Sequence, residues 1–162
     1  MLDIKITNAK TRKTGKELVE IGIENGKITA IAPSVEGEAK QIIDAKGKLV
    51  TESFVNGHLH LCKVYTLEMA GQGALKEYND NNMGGAMTSI ERAADFKACY
   101  DEKWIIENVR KACDLAVKYG NTHIRAFADV DSKARLEGVK GVIRGREEYK
   151  DRLDIQVVAF PQ

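Results

Sequence analysis

With 162 residues, 43% of them hydrophobic, the chain has material for one ordinary domain and too little for two large ones. Its 25 basic and 24 acidic residues nearly cancel to a net charge of +1, which argues against a nucleic-acid partner and against a disordered acidic tail. The start, Met1-Leu2-Asp3-Ile4-Lys5, carries no apolar run of signal-peptide length, and no later run is long enough to span a bilayer. Three cysteines (Cys62, Cys99, Cys113) without CxxC spacing fit reduced thiols, so the expectation is a soluble, cytoplasmic protein with no membrane partner.

The first fifty residues predict small antiparallel β structure. Leu2, Ile4 and Ile6 alternate along a first strand. Leu18 to Ile23 and Lys27 to Ala32 flank Glu24-Asn25-Gly26, and Asn-Gly between two apolar runs signals a hairpin because both turn positions favour positive φ. Pro33 and the polar stretch Ser34 to Lys40 predict a loop. Gln41 to Asp44 predicts a further strand, followed by a turn at Ala45-Lys46-Gly47-Lys48.

From Leu49 the pattern changes. Leu49 to Leu61 reads as a strand, and the Gly- and Asn-rich stretch from Gly71 to Gly85 reads as a long loop. Thr88 and Glu91 have capping-box spacing ahead of a helix from about Ser89 to Ala98. A second helix begins at Asp101 as N-cap, carries Ile105, Val109, Ala112, Cys113 and Ala116 on one stripe, and stops at Gly120. A strand from His123 to Val130, a helix from about Lys133 to Lys150 with Leu136, Val139 and Ile143 on one face, and a strand from Asp154 to Gln162 complete the order β-α-β-α-β. Alternating strands and helices predict a parallel sheet. The fold class is therefore α/β, with residues 1–48 forming one unit and 49–162 another.

His58 and His60 lie two apart on a predicted strand, so both rings project from one face, which simple alternation also gives to Phe54 and Asn56. Such an H-x-H pair at the C-terminal end of a parallel strand supplies two nitrogen ligands to one metal, or is two histidines at a strand end with no metal at all. The surrounding blocks narrow the choice. Ile4-Lys5-Ile6-Thr7-Asn8-Ala9, Ile21 to Ile28, Ile43 to Val50 and Phe54-Val55-Asn56-Gly57-His58-Leu59-His60-Leu61 together resemble the opening of the amidohydrolase superfamily. Ala116 to Val130 and Ile155-Gln156-Val157-Val158-Ala159-Phe160-Pro161-Gln162 resemble its cytosine deaminase and triazine aminohydrolase branch.

The resemblance implies the first part of a small β-sandwich followed by strands 1–3 of a (β/α)8 barrel that is incomplete here, since such a barrel needs about 250 residues and 49–162 supply less than half. It implies one divalent metal, zinc or iron, held in part by His58 and His60, and a small heterocyclic substrate contacted by Gln162, which is otherwise a polar chain terminus. The activity implied is hydrolysis of a C–N bond of a cyclic amidine, a deaminase or aminohydrolase reaction. Remaining ligands and acid-base groups would come from later strands, so the 162-residue chain alone is expected to be inactive, with a missing C-terminal portion or a homo-oligomer as the way to complete it. The other reading is a non-catalytic truncated barrel that serves as an interaction module.

Two departures from the branch matter. Cys62 stands where the branch has an acidic residue, and is either a ligand or a buried thiol. Phe127 replaces a polar inward residue, which puts a cytosine-shaped pocket in doubt. Arg125 and Asp129 share a predicted face as an interior ion pair or as support for the metal site, and His123 is expected to be structural.

Overall fold

The computed structural model describes residues 1–66, 68 and 96–161. They divide into two compact units, Met1–Glu52 and Ser53–Gln162. The expected Gly- and Asn-rich loop, the capping box at Thr88 and most of the helix after it lie outside the described residues, as does Gln162.

The first unit is a four-stranded sheet of β1 (Leu2–Ala9), β2 (Val19–Glu24), β3 (Lys27–Ala32) and β4 (Ala39–Asp44) in the order β3-β2-β1-β4. The β2–β3 hairpin turns through Asn25 at φ 52° and Gly26 at φ 71°, the positive values that Asn-Gly predicts. The sheet is mixed rather than antiparallel: β4 runs parallel to β1, pairing Ile43 with Ile6 and Gln41 with Ile4. The connection through 33–38 carries the chain back to the same end before β4 begins, and no tight turn joins the two strands. Leu49 and Val50 belong to this unit. Leu49 forms a parallel bridge with Lys10, and the Val50 amide donates to the Lys10 carbonyl at 2.8 Å. The strand expected from Leu49 accordingly begins later, at Phe54.

The second unit is a three-stranded parallel sheet, β5 (Phe54–Leu59), β6 (Asn121–Val130) and β7 (Asp154–Pro161), in the order β5-β6-β7. Two helices link the strands, α1 (Glu102–Lys118) and α2 (Glu137–Tyr149), with short 3-10 turns at Leu61–Lys63 and Lys97–Cys99. Asp101 caps α1, its Oδ1 accepting from the amides of Lys103 at 2.9 Å and Trp104 at 3.2 Å. Gly120, at φ +80°, follows the helix end, and its carbonyl accepts from the Phe54 amide.

One face of this sheet packs on the helices. Ile124, Ala126, Ala128 and Ile155 meet Ile105, Val109, Cys113 and Val142 in a single core, and each fully buried Ile or Val there stabilises the unit by about 1.5–3 kcal/mol. The helix face differs from the expected one on α2. Leu136 and Ile143 are exposed, while Val139 packs at the core's edge, and the buried stripe is Gly138, Gly141, Val142, Gly145 and Tyr149. A turn at Asp131–Arg135, with Arg135 at φ 52°, delays the helix to Glu137, and the glycines admit Ile105 and Val109 of α1 where larger residues would not fit.

Candidate metal centre

The second face of the β5-β6-β7 sheet carries His123, Arg125 and Phe127 of β6, opposite Asp154, Gln156 and Val158 of β7. Which residues of β5 join them depends on a bulge. Val55 stands opposite His123 and Asn56 opposite Ile124, but Leu59 stands opposite Ala126, so β5 spends three residues where β6 spends two. Directly paired residues share a face. Asn56 therefore lies on the helix side, not with the histidines as simple alternation predicts, and Val55 and Gly57 line the other face with His123 and Arg125. Beyond the bulge Leu59 packs on the helix-side core while His58 and His60 turn to the opposite face. The Asn56 side chain spans the irregularity, accepting from the His58 amide at 3.2 Å.

The two imidazoles sit with ring centroids 5.3 Å apart. Phe127 stacks on His58 at 4.3 Å, and Phe160 meets His60 edge-on at 5.1 Å. Phe127 and Phe160 meet each other at 5.6 Å in a T-shape. The pair is thus walled by aromatic rings on the side that β6 and β7 supply.

Behind His60 lies a buried charge network. Asp129 is fully buried at the C-terminal end of β6, and its Oδ1 stands 3.1 Å from His60 Nδ1. Its Oδ2 is ion-paired with Lys63 at 2.9 Å and Lys97 at 3.2 Å, and Lys97 also reaches Asp131 at 2.8 Å. Burial alone would raise the Asp129 pKa, but the two ammonium groups outweigh it and hold the carboxyl below its ordinary value. His60 is shifted down, first by burial and then by the Lys63 charge, against the opposing pull of Asp129.

The expected Arg125–Asp129 pair does not form. Arg125 donates instead to Gln156 Oε1 at 2.7 Å, near the N-terminal end of the sheet, while Asp129 is committed to the lysines and His60. His123 stands at that same N-terminal end, bonded to Thr122 at 2.8 Å. Cys62 is buried, its sulfur accepting from the Asp129 amide at 3.3 Å, and burial pushes its thiol up to about 11, which keeps it protonated and a poor ligand. Lys97 and Asp131 carry no motif signal in the sequence. Lys97 in particular follows a segment that gives no clue to its distance from Asp129.

Two imidazoles on one face suit a borderline metal such as zinc or iron. Among the described residues no cluster of three or more His, Cys, Asp and Glu side chains has metal-binding geometry. No helix of the described residues is long and apolar enough to cross a membrane.

The sequence profile of the Amidohydrolase family matches residues 41–162. The chain is 34% identical over 160 residues to N-isopropylammelide isopropyl amidohydrolase of Pseudomonas sp. strain ADP, covering 99% of this chain and 38% of that protein. Among solved structures, 5-methylcytosine deaminase from Klebsiella pneumoniae superposes with a TM-score of 0.73 at 23% identity, over 96% of this chain and 36% of that one. N-isopropylammelide isopropylaminohydrolase from Burkholderia multivorans superposes with a TM-score of 0.60 at 25% identity, over 100% and 38%. The chain therefore spans little more than a third of the length of the relatives it matches.

Proposed function

The chain belongs to the amidohydrolase family, and from that premise we propose that the protein is a metal-dependent hydrolase cleaving an exocyclic C–N bond of a heterocyclic amine. The observation that carries this reading is the placement of His58 and His60 at the C-terminal end of the first strand of a parallel sheet, rings 5.3 Å apart on the face away from the helices. That end is where α/β barrels place their chemistry. The two histidines would hold a divalent metal, zinc or iron, through ring nitrogens. When bound, the metal supplies Lewis acidity that makes water nucleophilic near neutral pH.

The chain's own residues do the rest of what is proposed. Phe127 and Phe160 give the ligand pair an apolar wall that excludes water and presents aromatic surface to a flat ring. Gln162, two residues after Phe160 in the sequence, is assigned as the polar contact to that ring. In the overall reaction water adds its oxygen to the ring carbon, the C–N bond breaks, and the amine leaves with the proton. Two facts favour an N-alkylated triazine over cytosine as the substrate. One is the 34% identity to an N-isopropylammelide isopropyl amidohydrolase along nearly the whole chain. The other is the phenyl ring of Phe127 on the histidine face.

The test is turnover of N-isopropylammelide and of cytosine by the purified, naturally expressed protein, read as release of isopropylamine or ammonia. Activity removed by a chelator, restored by zinc or iron, and lost in His58→Ala and His60→Ala supports the reading. Turnover indifferent to chelator, or no turnover from folded metal-loaded protein on either ring, overturns it.

A further inference from the structure

Asp129 is an expensive residue to keep where it is. A carboxylate with no exposed surface loses several kcal/mol of hydration, and replacing a whole buried ion-paired group with apolar residues is often neutral or stabilising. Three partners surround it: Lys63 and Lys97 on Oδ2 and His60 Nδ1 on Oδ1. The backbone brings two of these together from opposite ends of the strand connections. Lys63 is in the 3-10 turn directly after β5, and Lys97 is in the turn directly before α1. Neither lysine needs a buried partner, because an exposed carboxylate would serve equally. Both ammonium groups can only donate, so Asp129 meets them through Oδ2 as a hydrogen-bond acceptor with no proton to offer.

That constraint passes to His60. Opposite an oxygen that has no proton to give, Nδ1 must be the donor in the 3.1 Å contact. The neutral ring then carries its hydrogen on Nδ1 and its lone pair on Nε2. In free imidazole side chains the other tautomer dominates, so the contact inverts the intrinsic preference.

We propose that Asp129, braced by Lys63 and Lys97, is a positioning residue that fixes His60 as the Nδ1–H tautomer and so offers Nε2 as a metal ligand. This rests on the reading of His58 and His60 as ligands. Asp129 itself would not touch the metal or the substrate. His58 has no such carboxylate among the described residues. Its ring is held by stacking on Phe127, which fixes the ring plane but not the tautomer. The two ligands are therefore prepared unequally, His60 by charge and His58 by packing.

The tautomer is measurable without metal. In the naturally expressed protein, stripped of metal and labelled with 15N-histidine, two-bond 1H–15N correlations distinguish Nδ1–H from Nε2–H rings, with His60→Gln giving the assignment. The expected result is a single Nδ1–H pattern for His60 in the wild type, converted in Asp129→Asn to a mixture or to Nε2–H. A competition titration with Zn2+ alone is expected to show Asp129→Asn binding about 10- to 100-fold more weakly, the range for lost support of a ligating histidine. A wild-type His60 with its proton on Nε2 overturns the proposal whether or not any variant folds. So does unchanged zinc affinity in a folded Asp129→Asn protein. If His58→Ala and His60→Ala both keep wild-type zinc affinity, the ligand reading itself is wrong, and the proposal goes with it. A tautomer result alone cannot produce that outcome, so the two failures are separable.

Discussion

Gly145 lies on the buried stripe of α2, against α1, and a methyl group there would overlap Val109 Cγ1 while approaching Ile106 Cδ1 at 3.7 Å. Gly145→Ala should therefore be destabilising, although in an exposed helix the same change would stabilise by about 1 kcal/mol through propensity. Val109 cannot easily yield. Its χ1 has essentially one rotamer in a helix, and it is fully buried in the core shared by α1, α2 and the sheet. Relief requires either an off-rotamer valine or separation of the two helices, and overpacking of this kind costs about 1–3 kcal/mol. Subtracting the propensity gain leaves a net loss of up to about 2 kcal/mol, read as a lower urea midpoint with unchanged slope. The cause is isolated by a double-mutant cycle with Val109→Ala. That change removes the valine methyl that a new Cβ at position 145 would strike, so the double variant should be more stable than the sum of the singles by about 1 kcal/mol or more. A stabilising Gly145→Ala, or a strictly additive cycle, would refute the close-packing account of α2.

Other consequences are open to simple measurement. Native thiol labelling near pH 8 should modify Cys99 and spare Cys62 and Cys113, which are buried with thiols pushed up to about 11 and about 12, whereas denaturant should expose all three. Asp101→Ala should lower stability by about 1 kcal/mol through loss of the α1 cap, with Asp101→Asn recovering most of it. Asp131 has its carboxyl held below the ordinary aspartate value by Lys97 and by the amides of Ala134 and Lys133. Its contribution is present above the ordinary value and is lost as pH falls through the lowered one. The denaturation midpoint should thus decline between about pH 5 and pH 2, and Asp131→Asn should lose part of that slope.

Local chemistry makes much of this fold legible. Asn25-Gly26, the Asp101 cap and Gly120 each act within a few residues, and each stands where its backbone preference puts it. Periodicity also locates the α1 stripe, because Ile105, Val109 and Cys113 are large enough to dominate one side of the helix. It misreads α2, where the face that packs is the one with least apolar mass. Helix contact there is limited by how closely the backbones approach, and glycines decide that without any hydrophobic signal. Pairing direction is equally hidden. Nothing in Ala39–Asp44 records that β4 will lie beside β1 in parallel, since that depends on the path of the intervening chain. At the site, the histidines are visible by spacing and Asp129 by alternation. Its partners are not, because Lys63 and Lys97 come from separate turns and meet only through the fold.

The bulge in β5 acts as a phase shifter. Before it, odd-numbered residues of the strand look away from the helices; after it, even-numbered ones do, and both histidines are read in the second phase. Substitutions at Val55 or Gly57 leave that phase intact. Closing the bulge with every residue retained would not: Gly57 would then pair with Arg125 and His58 with Ala126, swinging both imidazoles toward the helix-side core with Leu59 cast out to the other face. The site thus depends on one irregular backbone pairing over three residues of β5. Removing the extra residue instead would leave Leu59 opposite Ala126 and both histidines on the face they now occupy, because the bulge exists to absorb that residue.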